Sequence, residues 1–242
     1  PGSLIPNPFD PRLILRIAPA VAKAAIKSGV ATRPIVDFEA YLNRLDGFVF
    51  RSGFLMKPVF AKAKSDPRRV IYAEGEDERV LRAVQVIVEE GLAQPVLIGR
   101  PAVIEARLER YGLSIRPAKD FTLINPEDDP RYREFVNAYV EAAGRHGITP
   151  YAARTIVRTN ATVIAALAVR LGLADAMICG LEGRYMAHLH NIRDVIGLAK
   201  GVREFAALSL IITGKGAYFL ADTQVTPDPN ADEIAEMAVQ AA

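Results

Sequence analysis

The stretch from Gly180 to Gly197, GLEGRYMAHLHNIRDVIG, gathers residue types suited to holding an anion. Gly180 and Gly183 let a backbone approach a ligand closely, and Arg184, His188, His190 and Arg193 bring cationic or titratable groups to what reads as the start of a helix. A phosphate or pyrophosphate suits such a loop, so these six residues are the candidate cofactor-binding set. On helical geometry Arg184 and His188 share a face, as do His190 and Arg193, whereas His188 and His190 diverge. The competing reading is a solvated helix surface, with Arg193 and the histidines paired to Asp194 or Glu182. Lys200, Arg203 and Lys215 extend the positive rim. No metal ligand is assigned, because His-x-His on a helix splays apart and no third ligand is identifiable. No catalytic residue is assigned either. No serine lies in a nucleophile elbow, and Ser209 falls inside an apolar strand-like run. Cys179, in AMICG, reads as a small buried hydrophobe.

A loop of this kind needs the end of a sheet to carry it. Val70 to Gly99, VIYAEGEDERVLRAVQVIVEEGLAQPVLIG, supplies the start of one: strand, acidic turn, amphipathic helix and second strand. Val70, Ile71 and Tyr72 suit a pleated surface, Val80, Val84, Ile87 and Val88 fall at helical spacing, and Gly91 stops the helix. That βαβ crossover argues for an α/β fold with a ligand crevice at the carboxyl ends of parallel strands. Glu74, Glu76, Asp77 and Glu78 stand where the helix begins, so the chain supplies its own anions at a place that otherwise favours phosphate. Neither G-x-G-x-x-G after the strand nor G-x-x-x-x-G-K-[ST] is present.

Further elements follow from their punctuation. Pro101 opens a helix ending near Gly112, Phe121 to Ile124 is a short strand, and Asp129-Pro130 starts a helix to Gly144. Thr149-Pro150 opens a helical region to Gly172, broken at Thr159-Asn160. Ala174 to Gly180 reads as a buried strand and Arg184 to Ile196 as a helix. Ala207 to Thr213 and Ala217 to Asp222, joined by Gly214-Lys215-Gly216, predict an antiparallel hairpin within a mixed sheet. Asp228-Pro229 leads into a last helix. At the other end, Leu4 to Leu45 is proline-rich and then helical over IAPAVAKAAIKSG, and Gly47 to Asp66 reads as a connector whose Phe48, Phe50, Phe54 and Phe60 dock on a neighbour.

A chain of 242 residues, half of them hydrophobic, buries one large core or two smaller ones. A net charge of +2 with mixed signs is no nucleic-acid signature, and one cysteine excludes an internal disulfide framework. The apolar runs are too short to span a bilayer and no signal peptide opens the chain, so a cytoplasmic location is expected and no membrane partner. The start at Pro1-Gly2-Ser3 and the end inside a helical pattern read as those of a fragment.

The segments VIYAEGEDERVLRA, LADAMICGLEGRYMAHLHNIRDVIGL, GVREFAALSLII and FLADTQVTPDPNADEIAEMAVQAA resemble the phosphotransacetylase-like domain at the C-terminus of large bacterial NADP-dependent malic enzymes. LIPNPFDPRLILRIAPAVAKAAIKSGVATRPI resembles the end of the malic enzyme half before it. The resemblance implies a two-lobed α/β fold, phosphotransacetylase-like and akin to isocitrate and isopropylmalate dehydrogenases, with a mostly parallel first lobe, a mixed-sheet second lobe and a C-terminal part missing. The divisions expected are a malic enzyme tail over 1–45, a connector over 46–67, a first lobe over 68–150 and a second over 151–242. Acetyl-CoA or CoA is the implied ligand, acting as an effector. NADP, a divalent metal and the decarboxylation of malate to pyruvate belong to the half upstream. The malic enzyme domain of the same chain and a homo-oligomer are the implied partners.

In true transferases of this kind the loop after the corresponding strand carries a His-Ser/Thr-Thr-Ala-Asp character, then an arginine before a proline. Ungapped alignment puts Gly183 to Ala187 on the former and His190-Asn191 on the latter. Arg184 and Tyr185 thus replace small hydroxyls, which implies regulatory binding without acetyl transfer. The alternatives are an active phosphate acetyltransferase and a structural oligomerisation module.

Overall fold

In a computed structural model of the chain, residues 12–49, 53–213 and 216–242 are described. They form two compact units, one holding the residues up to Lys62 with Leu208–Thr223, the other Ala63–Ala207 with Gln224–Ala242. In the first unit, helix α1 (Arg12–Lys27) runs out at Gly29, whose φ of +76° favours a residue without a Cβ. A second helix, α2 (Phe38–Val49), follows, its start secured by Asp37 accepting the Ala40 N–H at 2.9 Å. The stretch expected to be a connector is helical over α3 (Gly53–Ser65). Pro58 inside it and apolar residues that keep to no single stripe hide its helical character in the sequence. Phe60 is exposed, whereas the side chains of Phe48, Phe50 and Phe54 lie outside the described residues.

The second unit opens with the expected crossover, β1 (Arg69–Tyr72), α4 (Glu78–Glu90) and β2 (Gln94–Ile98). The Asp77 carboxylate caps α4 by accepting the Arg79 N–H, and Gly91 ends it in the left-handed region. Then come α5 (Pro101–Tyr111), β3 (Thr122–Ile124), α6 (Tyr132–Ala143), α7 (Pro150–Thr159) and α8 (Ala161–Arg170). α7 and α8 meet at 102° around Asn160, which closes one helix and caps the next by accepting the Val163 N–H. β4 (Ala176–Ile178) and α9 (Tyr185–Ile196) follow.

The four strands make one parallel sheet in the order β3-β2-β1-β4. Alternation along each strand divides the core. Ile71, Val96 and Ile98 pack with Phe135 of α6, Val157 of α7 and the buried α8. Tyr72 and Leu97 pack with Leu81 and Val84 of α4 and Ile104 and Leu108 of α5. β4 corrects the expectation of a buried strand, because Ile178 is 53% exposed. An apolar run at a sheet edge has the composition of a central strand but neighbours on one side only.

β5 (Leu208–Thr213) and β6 (Gly216–Ala221) pair antiparallel as expected, with Gly214 and Lys215 outside the described residues. Among the described residues they pair with no other strand. The mixed sheet is therefore replaced by a parallel sheet and a separate two-stranded one. Helix α10 (Ala231–Ala241) closes the chain, begun by a capping box of Asn230 and Glu233. Among the described residues no single helix is long and apolar enough to cross a membrane.

Candidate functional site

β1 is paired with β2 on one side and β4 on the other, so the connections leaving its neighbourhood diverge there. Ligands of open parallel sheets bind outside the carboxyl ends of the strands at such a point. Glu74 follows β1 at this position and the loop Gly180–Arg184 follows β4. Gly75 must be a glycine, since a Cβ would stand 2.6 Å from the backbone oxygen of Ile98.

Two ties hold the loop. The Glu74 carboxylate accepts the N–H of Gly180 at 2.9 Å and, on the same Oε1, that of Leu181 at 3.3 Å. His188, on the first turns of α9, reaches back with Nε2 2.7 Å from the backbone oxygen of Glu182 and Nδ1 2.8 Å from the hydroxyl of Thr162. A carbonyl only accepts, so in the neutral ring Nε2 carries the proton and Nδ1 accepts from Thr162. Thr162 is 3% exposed on α8 and is the anchor of that chain of bonds. Gly180 (φ +92°) and Gly183 (φ +99°) provide the bends, and a Cβ on Gly183 would meet His188 Nε2 at 2.9 Å. Burial pushes the Cys179 thiol up, and the nearby Glu74 carboxylate acts in the same direction.

The other acids of the first turn are spoken for. Arg100 grips Glu76 with Nε and Nη2, each at 2.9 Å, and holds its carboxyl below the usual carboxylate range; Arg107 reaches the Glu76 backbone oxygen. Arg79 does the same for Asp77, and Glu78 pairs with Arg82 one turn on. A pocket of about 340 Å³ opens here, lined by Glu74, Glu76, Asp77, Arg107 and Glu182 among others.

Of the six residues expected to bind a ligand, the structure brings three together. Gly180, Gly183 and His188 form the loop and its tie. Arg184 stands at the N-cap of α9, exposed, without a side-chain cap bond. His190 is exposed two residues beyond His188, on a different side of the helix. Arg193 lies near the other end of α9, 3.4 Å from Glu204 and over the Phe205 ring. The pairings with Asp194 and Glu182 that the competing reading supposed are also redistributed. His146 takes Asp194 at 3.1 Å, and His188 uses the Glu182 backbone rather than its carboxylate. Sequence reasoning missed Glu74 as a loop ligand and Thr162 altogether. A lone hydroxyl within the wholly apolar ATVIAALAV was the one available signal for Thr162.

The sequence profile described as phosphate acetyl/butaryl transferase matches residues 54–242. The chain is 64% identical over its whole length to an NAD-dependent malic enzyme of Rhizobium meliloti and 49% identical over 99% of its length to an NADP-dependent malic enzyme of Haemophilus influenzae. It spans about a third (32%) of the length of each. Among solved structures, a phosphotransacetylase from Streptococcus pyogenes superposes with a TM-score of 0.69 at 26% identity, covering 77% of this chain and 56% of that one. The relatives divide between NAD and NADP, so the expectation of NADP is not a family-wide property. With its parallel sheet and a matching profile over most of its length, this chain belongs to the phosphate acetyl/butaryl transferase family.

Proposed function

We propose that this chain is the regulatory, acetyl-CoA-binding segment of a malic enzyme, and that it does not itself transfer acetyl groups. The observation that carries the reading is the chain-long identity to malic enzymes in a chain of the transferase family. Malate decarboxylation to pyruvate, the nicotinamide cofactor and the divalent metal then belong to the remaining two-thirds of the protein. The enzyme is cytoplasmic and a homo-oligomer in this reading, and the segment acts on the malic enzyme half of its own chain.

The loop supports a binding role over a catalytic one. Acetyl transfer needs the nucleophile held in line with donors on the developing oxyanion. By the resemblance, Arg184 and Tyr185 stand where transferases carry small hydroxyls, and His188 is engaged with Thr162 and Glu182. An effector bound here alters malate oxidation only through unequal affinity for two global states, typically by about 1–3 kcal/mol. The active transferase reading rests on the family membership itself.

The test is calorimetric titration of acetyl-CoA and CoA into the full-length protein, beside an acetyl phosphate transfer assay and malate oxidation with and without acetyl-CoA. Saturable binding that changes malate oxidation without acetyl transfer is the expected result. Acetyl transfer restores the transferase reading, and absence of binding leaves a structural oligomerisation module.

A further inference from the structure

We infer that Glu74 acts as an internal competitor at the ligand site: its carboxylate occupies the amide pair of Gly180 and Leu181 that an anionic or carbonyl oxygen of a ligand would otherwise use. The inference rests on the reading that this loop binds acetyl-CoA, and it adds how that binding is held in check.

Three features of the geometry carry it. The two N–H groups lie at the carboxyl end of β4, where the sheet presents a ligand, and both converge on a single oxygen, Glu74 Oε1, at 2.9 and 3.3 Å. Two adjacent amides aimed at one point are the arrangement that binds an oxyanion or a polarised carbonyl. Glu74 comes from the turn after β1, 106 positions earlier than Gly180, so the contact is a tertiary one and not part of the loop's own turn. The remaining loop supports do not depend on it. His188 ties the Glu182 backbone oxygen at 2.7 Å and is itself fixed to the buried Thr162 at 2.8 Å. Withdrawal of Glu74 therefore frees the amides while the loop stays anchored from α8 and α9.

The neighbouring acids cannot take its place. Glu76 is held by Arg100, Asp77 is bound to Arg79, and the exposed Glu182 carboxylate lies toward Arg79 at 4.0 Å. Glu74 alone among them accepts hydrogen bonds from the loop backbone. The pocket of about 340 Å³ beside it gives the side chain room to swing aside when a ligand arrives. Displacement costs the ligand two charge-assisted bonds, which are stronger than the bonds a neutral amide oxygen would accept.

The experiment compares acetyl-CoA affinity, by calorimetry, in the full-length protein and its Glu74→Gln and Glu182→Gln variants. Glu74→Gln keeps the shape and an acceptor oxygen but loses the charge, and is expected to bind about fivefold more tightly, since its bonds to the amides are weaker. Glu182→Gln removes an equal charge from the same loop without vacating the amides, and is expected to shift affinity less than twofold. Unchanged or weaker binding by Glu74→Gln, with wild-type binding intact, overturns the inference alone. Equal tightening in both variants overturns it too, because simple charge repulsion then accounts for the effect. No binding by any of the three overturns the ligand reading and the inference with it. Amide exchange at Gly180 and Leu181 in the wild-type protein is a check independent of the variants: acetyl-CoA should alter protection there, and an unaltered rate in the saturated protein overturns the competition.

Discussion

Thr162→Val tests whether the site loop is anchored through the core. Valine keeps the shape of threonine and deletes only the hydroxyl that lies 2.8 Å from His188 Nδ1. Thr162 is 3% exposed, so water cannot restore the lost partner at its own position. The ring is only half-buried, so the expected loss is near the ordinary value of about 1 kcal/mol rather than the roughly 3 kcal/mol of a sealed unsatisfied group. For a chain of this size that corresponds to a melting temperature lowered by about 2–4 °C. The same energy, spent locally, raises exchange of the loop amides about fivefold. Thermal melting and hydrogen-exchange mass spectrometry of peptides covering Cys179 to Tyr185 read the two effects. Thr159→Val is the control, because its exposed hydroxyl bonds only to Thr155 one turn back. If Thr162→Val leaves both the melting temperature and the loop exchange at the level of that control, the anchoring argument is wrong.

Other perturbations separate backbone from side-chain crowding, and core from surface. Gly75→Ala should destabilise more than Gly99→Ala in urea titration, because the first Cβ meets the Ile98 backbone at 2.6 Å and the second meets side-chain atoms of Glu76 and Ile104 and no backbone; equal costs would contradict the geometry. Leu97→Ala, at a fully buried position in β2, should cost about 2–5 kcal/mol in the same assay, against less than about 0.5 kcal/mol for Val239→Ala at a 78% exposed one. Arg69 holds the Asp175 carboxyl down to about 2 from its ordinary 3.8, so the contribution of this group is fully present above pH 4 and fades as pH falls through about 2. Asp175→Asn should therefore flatten the acid limb of the stability profile in that window, and an unchanged limb would refute the assignment.

Local patterns carried most of the fold. The period of Val80, Val84, Ile87 and Val88, the stop at Gly91 and the corner at Asn160 all stand in the structure where sequence places them. What failed depended on neighbours. The run Ala174 to Gly180 has a core composition, and only the strand order makes β4 an edge. The hairpin was legible from Gly214 and Gly216, but its independence from the other sheet was not. At the site, glycines and basic residues marked the loop, while the partner that occupies its amides comes from the turn after β1. No spacing rule links Glu74 to Gly180, and an acidic residue before a helix has an adequate local explanation in the macrodipole. Arg193 stands apart from that loop, 3.4 Å from Glu204, a pairing that its place in the sequence does not announce.

The strand order also sets a timetable. β1, β2 and β3 lie within about the first half of the chain, but the partner for the free edge of β1 is β4, and the ladder between them is sealed by Arg69 and Asp175, 106 positions apart. At about 5–20 residues per second, synthesis takes about 5–20 s to cover that interval. Throughout it Val70, Ile71 and Tyr72 present unpaired backbone on an apolar edge, the surface most open to pairing with another nascent chain. The loop after β4, tied to Glu74 beyond β1, takes its shape only when that edge closes, so the Glu74 bonds to Gly180 and Leu181 report that β4 has docked.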